Sequence, residues 1–257
     1  MNLKIFCYFH FFSKKTVFLH ALDDHKRPRW YTKRDYRYMN EIIFIFHILA
    51  LVLLGLIALR LGKETLIAFS SLQAILANLF IQKQTYLFGL EVTCTDAYAI
   101  LSLFSLNLIQ EYFGKSAAQQ VIKINFFLML TFAIMAKFHL LYPASIHDET
   151  HGAFYSILNN SPRTLLASFS VFFLVQKLDV QFFTQLRNHF FPRSLPFSIF
   201  ASLIISQTVD TILFTVFALW GVAGSIFEVI IMSLVVKYIV IFFMTPFAKL
   251  TKRLIPA

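Results

Sequence analysis

Seven stretches of this chain stay apolar for roughly 20 residues each, the length a helix needs to cross a bilayer. They run 41–60, 63–82, 96–114, 119–142, 163–186, 196–220 and 224–248. The hydrophobic positions are continuous within each stretch and lack the in-out alternation of a membrane barrel, so the pattern predicts helices. Most joins are short. Two are longer, "KQTYLFGLEVTCT" (83–95) and "YPASIHDETHGAFYSILNNS" (142–161). The expected fold is all-α, a polytopic membrane helix bundle of six to seven spans forming a single transmembrane domain over residues 39–257.

Composition agrees. The chain is 58% hydrophobic and only 14% charged, with 32 Phe among its 257 residues. Soluble domains are about a quarter charged. Seven Gly and seven Pro leave little material for turns, in keeping with long helices. Cys7 and Cys94 are far apart and define neither a disulfide framework nor a metal site.

The formal net charge of +10 does not point to a nucleic acid. Lys4, Lys14, Lys15, Lys26, Arg27, Arg29, Lys33, Arg34 and Arg37 crowd an N-terminal arm (1–38), and the rest are spread singly, mostly at the ends of apolar runs. Arg60, Lys63, Lys115, Lys123, Arg187, Arg193, Lys249, Lys252 and Arg253 fall on one side of a seven-span bundle. By the positive-inside rule that side, with the C-terminus, is cytoplasmic. A basic arm would then lie outside, against the same rule. Translation from Met39, directly before the first span, removes the conflict and is the expected start.

Three helices repeat one polar device inside the apolar runs. Asn107 and Glu111 stand four apart, Gln176 and Asp179 three apart, Gln207 and Asp210 three apart. Those spacings put each pair on one helical face. Polar and charged groups at bilayer depth are costly and mark functional sites by default. Amides also glue membrane helices together, but three matched pairs on three helices favour a site. An amide beside a carboxylate suits a flat heterocycle that offers adjacent N–H donors and a carbonyl, as guanine does. Phe side chains would supply stacking surface. Lys237, midway along "VVKYIVIFF", is the cation expected to offset the carboxylates. Lys177 lies off the Gln176–Asp179 face, and Lys137 has no evident partner in the sequence.

Two other motifs carry less. "HDETH" (147–151) spaces two His like a zinc pair, but the second position is Asp and the stretch reads as a loop, so no metal is expected. Asp96 in "CTDAY" is expected to cap a helix N-terminus. No nucleotide-binding GxxxxGK[ST] is present and no cofactor is called for. An intramembrane enzyme would need a nucleophile–base constellation, and none is evident.

The stretches "NLIQEYFGKSAAQQVI", "RTLLASFSVFFLVQKLDVQFFTQLR", "SLIISQTVDTILFTVFALWG" and "VVKYIVIFF" occur in an order that resembles the queuosine precursor transporter family, over about residues 73–250. The chain departs from that family's pattern at Asn107, where an acidic residue is usual, and at Gln110. The resemblance implies a bacterial inner-membrane protein of six spans, here six to seven with 41–60 added. It also implies uptake of a 7-deazaguanine (queuine, 7-cyano-7-deazaguanine or its aminomethyl relative) for queuosine modification of tRNA. Asn107, Glu111, Gln176, Asp179, Gln207, Asp210 and Lys237 are the expected substrate-binding residues. The competing arrangement is a substrate-capture subunit driven by a separate ATPase, and a homo-oligomer is left open.

Overall fold

A computed structural model of the chain describes residues 33–159, 162–220 and 226–254. Each of the seven expected spans coincides with a helix. In chain order the elements are α1 (Lys33–Leu61), α2 (Lys63–Leu79), strands β1 (Gln84–Leu87) and β2 (Leu90–Thr93), then α3 (Asp96–Phe113) and α4 (Lys115–Leu141). They continue with α5 (His151–Leu158), α6 (Pro162–Gln185), α7 (Leu195–Leu219), α8 (Ile226–Met244) and α9 (Ala248–Leu254). The all-α expectation holds. A helix satisfies its own backbone hydrogen bonds, which is what a span without water requires. The start expected at Met39 concerns an arm whose residues 1–32 lie outside the described ones, and α1 itself opens at Lys33.

Among the described residues five helical stretches are long and apolar enough to cross a membrane: Met39–Leu61, Lys115–Leu141, Arg163–Phe190, Leu195–Ala218 and Ile226–Leu254. The other two expected spans are shorter, 17 residues in α2 and 18 in α3. At 1.5 Å per residue α3 is about 27 Å long. It is the centre of the bundle, touching α1, α2, α4, α6, α7 and α8. Every residue from Ile100 to Gln110 is buried. Large apolar side chains on the outer helices, such as Phe46, Leu53, Phe127, Phe217 and Phe242, face outward as lipid contacts do.

Small polar side chains tie the inner helices. Ser70 on α2 and Ser102 on α3 each donate to the other's backbone carbonyl, at 3.2 and 3.0 Å. Ser71 donates to Asn125 Oδ1 on α4 at 2.6 Å. In lipid, where apolar burial does not bring helices together, such contacts set their packing.

The first long connection folds into an antiparallel hairpin that the hydrophobic pattern does not reveal. Phe88 and Gly89 form its two-residue turn with φ of 52° and 82°, as tight hairpins require. The hairpin is pinned to α1: Asn40 Nδ2 donates to Thr85 Oγ1 and to the Tyr86 carbonyl, both at 3.1 Å, and Phe88 N donates to Glu41 Oε1 at 3.1 Å. At the opposite end of the bundle Gly114, at φ 89°, is the single residue between α3 and α4. The bundle therefore has a hairpin end and a Gly114 end.

Within the second long connection, Asp148 accepts hydrogen bonds from the Thr150 hydroxyl, from Thr150 N and from His151 N, which holds its carboxyl below the usual range. The "HDETH" stretch is thus the turn that opens α5, with His151 its first residue.

Candidate substrate site

A cavity of about 200 Å³ opens at the hairpin end. Drug-sized ligands occupy pockets of about 300 Å³ and more, so this one suits a smaller compound. The last turns of α2, the hairpin and the start of α3 form one side, and the near halves of α6, α7 and α8 form the other. Phe172 and Phe214 give it flat apolar wall, while Asn78, Gln84, Ser168 and Thr211 give it polar wall.

Its floor is charged. Lys237, only 4% exposed, donates from Nζ to Asp210 Oδ2 at 2.6 Å and lies 3.7 Å from Asp96 Oδ1. Lys237 is roughly three turns into α8, and Asp210 roughly two and a half turns from the end of α7. Cation and carboxylates from three helices thus meet at depth. The structure corrects the capping role expected of Asp96: Thr95 occupies the N-cap and Asp96 is the first helical residue, its carboxylate turned to Lys237. No local rule could have found this, because the partner lies on the last long helix.

Beneath the floor the same helix faces carry a second polar layer. Gln176 is one turn below Phe172 on α6, and Gln207 about one turn below Asp210 and Thr211 on α7. Asn107, Gln176, Asp179 and Gln207 are all at most 1% exposed. Asp179 Oδ1 accepts from Ser202 Oγ and Ser206 Oγ, both at 2.7 Å. Its Oδ2 is buried with the Asn107 amide as its neighbouring donor. Both side-chain polar atoms of Gln176, and Oε1 of Gln207, are buried without a protein partner. An unmatched buried group costs about 1–3 kcal/mol, so several in one layer are a poor way to glue helices. Ser198, Ser202 and Ser206, spaced by four on α7 and all buried, are the sequence signal that would have pointed to this layer.

Glu111 stands apart from both sets. At the Gly114 end both of its oxygens accept from Arg187, with Arg187 Nη2 to Glu111 Oε1 at 2.7 Å and Arg187 Nε to Oε2 at 2.9 Å. Arg187 sits in a π-helical turn, Leu186–Phe190, that continues α6, and it also donates to the carbonyls of Phe191 and Pro192. Gln110 fastens the same two helices, donating to Thr184 Oγ1 at 2.7 Å and to the Val180 carbonyl at 3.1 Å. The seven sequence-predicted residues therefore fall in three places: Asp210 and Lys237 on the cavity floor; Asn107, Gln176, Asp179 and Gln207 in the layer below; Glu111 in an ion pair beyond it. Of the lysines left aside, Lys177 lies 4.3 Å from the centre of the Phe173 ring, and Lys137 donates to Asn159 Oδ1 at 2.8 Å.

Apolar helices wrapped around a cavity that opens at one end over a charged, lysine-centred floor define a polytopic membrane transporter. A family model described as "Putative vitamin uptake transporter" matches residues 97–251, more than half of the chain, and the chain belongs to that family. It is also 27% identical over 221 residues to the "Probable queuosine precursor transporter" of Bacillus subtilis (strain 168), an alignment covering 84% of this chain and 96% of that protein. No solved structure matches the chain significantly.

Proposed function

We propose that the protein imports a queuosine precursor, a 7-deazaguanine, across a bacterial inner membrane by alternating access around this cavity. Support comes from the relative's name together with one observation on this chain. The floor presents the Asp210 carboxylate to a small space with aromatic and amide walls, as a guanine-like edge with adjacent N–H donors requires. Asp210 reads those donors with the oxygen that Lys237 does not hold. Phe172 and Phe214 sandwich the ring, and the unmatched amides beneath serve the ligand as it moves inward. The role is transport and not catalysis.

In this reading the hairpin end faces outward. The Gly114 end, with Lys115, Arg187, Arg193, Lys249, Lys252 and Arg253 around it, faces the cytoplasm under the positive-inside rule. The described state is then open to the outside, and the Glu111–Arg187 pair closes the inner end. A reporter active only in the cytoplasm is expected to work when fused after Ala257. Activity there of a reporter that works only in the periplasm would reverse the orientation.

The substrate is tested in a host that can neither make nor import queuosine precursors. Expression of this chain is expected to restore queuosine in tRNA when queuine, 7-cyano-7-deazaguanine or the aminomethyl compound is supplied. Absence of queuosine with all three, in a host whose insertion enzymes accept them, would reject the substrate class.

A further inference from the structure

We propose that Asp96 is the proton-carrying group that couples this transporter to the proton gradient, an inference that rests on the transport reading above. Three observations carry it. One buried cation, Lys237, is shared by two carboxylates, so the floor bears a net negative charge whenever both are ionised. Excess charge on side chains at most 18% exposed is costly, and gaining one proton removes it. The two carboxylates are held unequally, with Asp210 in a 2.6 Å hydrogen bond to Lys237 and Asp96 at 3.7 Å. Asp96 is therefore the one free to take the proton. Finally, Asp96 lines the open cavity and so has access to the outer solution.

Of the other titratable groups nearby, Cys94, Lys83, His47, Tyr98 and Asp179 do not line the cavity. Cys94 stands beside Asp96 on the hairpin side with Lys83 beyond it, and His47 of α1 packs against Tyr98 with ring centres 4.9 Å apart. Asp179 is sealed below the floor and held by two serine hydroxyls. In the cycle, an outside proton adds to the Asp96 carboxylate and the floor becomes neutral. Substrate binds, the site turns inward, and the carboxylic acid releases its proton to the cytoplasm. One proton accompanies each substrate molecule.

The test uses the purified full chain and proteoliposomes. Infrared difference spectra between acid and neutral pH are expected to show a carboxylic-acid C=O band in the wild type that Asp96→Asn lacks. Adding queuine outside wild-type vesicles should acidify a lumenal pH dye. With acid outside, accumulation should rise about tenfold for each pH unit of gradient, as one proton per substrate requires. Asp96→Asn should still exchange labelled for unlabelled queuine but fail to accumulate it against a gradient. Asp96→Glu, which keeps the acid, should retain accumulation and serves as the control should the Asn variant insert poorly. Gradient-driven accumulation by Asp96→Asn, queuine entry without lumenal acidification, or a band unchanged in Asp96→Asn would each overturn the proposal. If wild-type vesicles neither exchange nor accumulate any deazaguanine, the transport reading fails, and the infrared band, which needs no ligand, still decides whether Asp96 binds the proton.

Discussion

Asp210→Asn is expected to lower uptake of a queuosine precursor by roughly ten- to a hundredfold or more while leaving the protein in the membrane. Asp210 does two things at once. One oxygen holds Lys237 at 2.6 Å, and the side chain lines the cavity where a ligand N–H would arrive. Asparagine has the same size but exchanges one acceptor oxygen for a donor. Whichever way the amide turns, its N–H meets either the lysine ammonium or the ligand's own donor. A buried mismatch costs about 1–3 kcal/mol, more where the lost group was charged, and each 1.4 kcal/mol is about tenfold in affinity. Precursor-dependent tRNA queuosine and the amount of membrane-inserted protein, measured together, check this. Normal uptake by a normally inserted variant would remove the cavity floor from the site.

Lys237→Met is expected to damage the protein itself. Met matches the lysine stem in length but removes the charge, leaving Asp96 and Asp210 facing one buried position without a cation. Removing one partner of a buried ion pair destabilises by about 3–5 kcal/mol, a large part of the total stability of a typical domain. The variant should melt well below the wild type in detergent and be depleted from the membrane fraction. Neutralising both carboxylates as well, with Asp96→Asn and Asp210→Asn, should recover the protein level without recovering uptake. A Lys237→Met protein as stable as the wild type would mean that the three groups are not electrostatically bound to one another. These two variants separate the roles of one cluster: the carboxylate that reads a ligand, and the cation that lets two carboxylates be buried at all.

The sequence by itself determined that this is a helical membrane protein, and where its helices lie. A bilayer imposes one requirement on every span, a long apolar run with its backbone bonds satisfied internally, and that requirement is written locally in each stretch. The pairing of Gln176 with Asp179 and of Gln207 with Asp210 on single faces was equally legible, because helical spacing is local. The tertiary structure alone decided what those faces meet. Asp96 reads as a cap until α8 brings Lys237 to it. Glu111 shares a face with Asn107, yet it ends in an ion pair because the π turn after α6 delivers Arg187 to the Gly114 end. The hairpin over 84–93 stayed hidden, since four residues per strand are too few to show a period and its Phe88–Gly89 turn is stabilised by contacts with α1. Which polar groups share a cavity depends on how helices distant in sequence are rotated and seated against α3, and no periodicity within one helix carries that information.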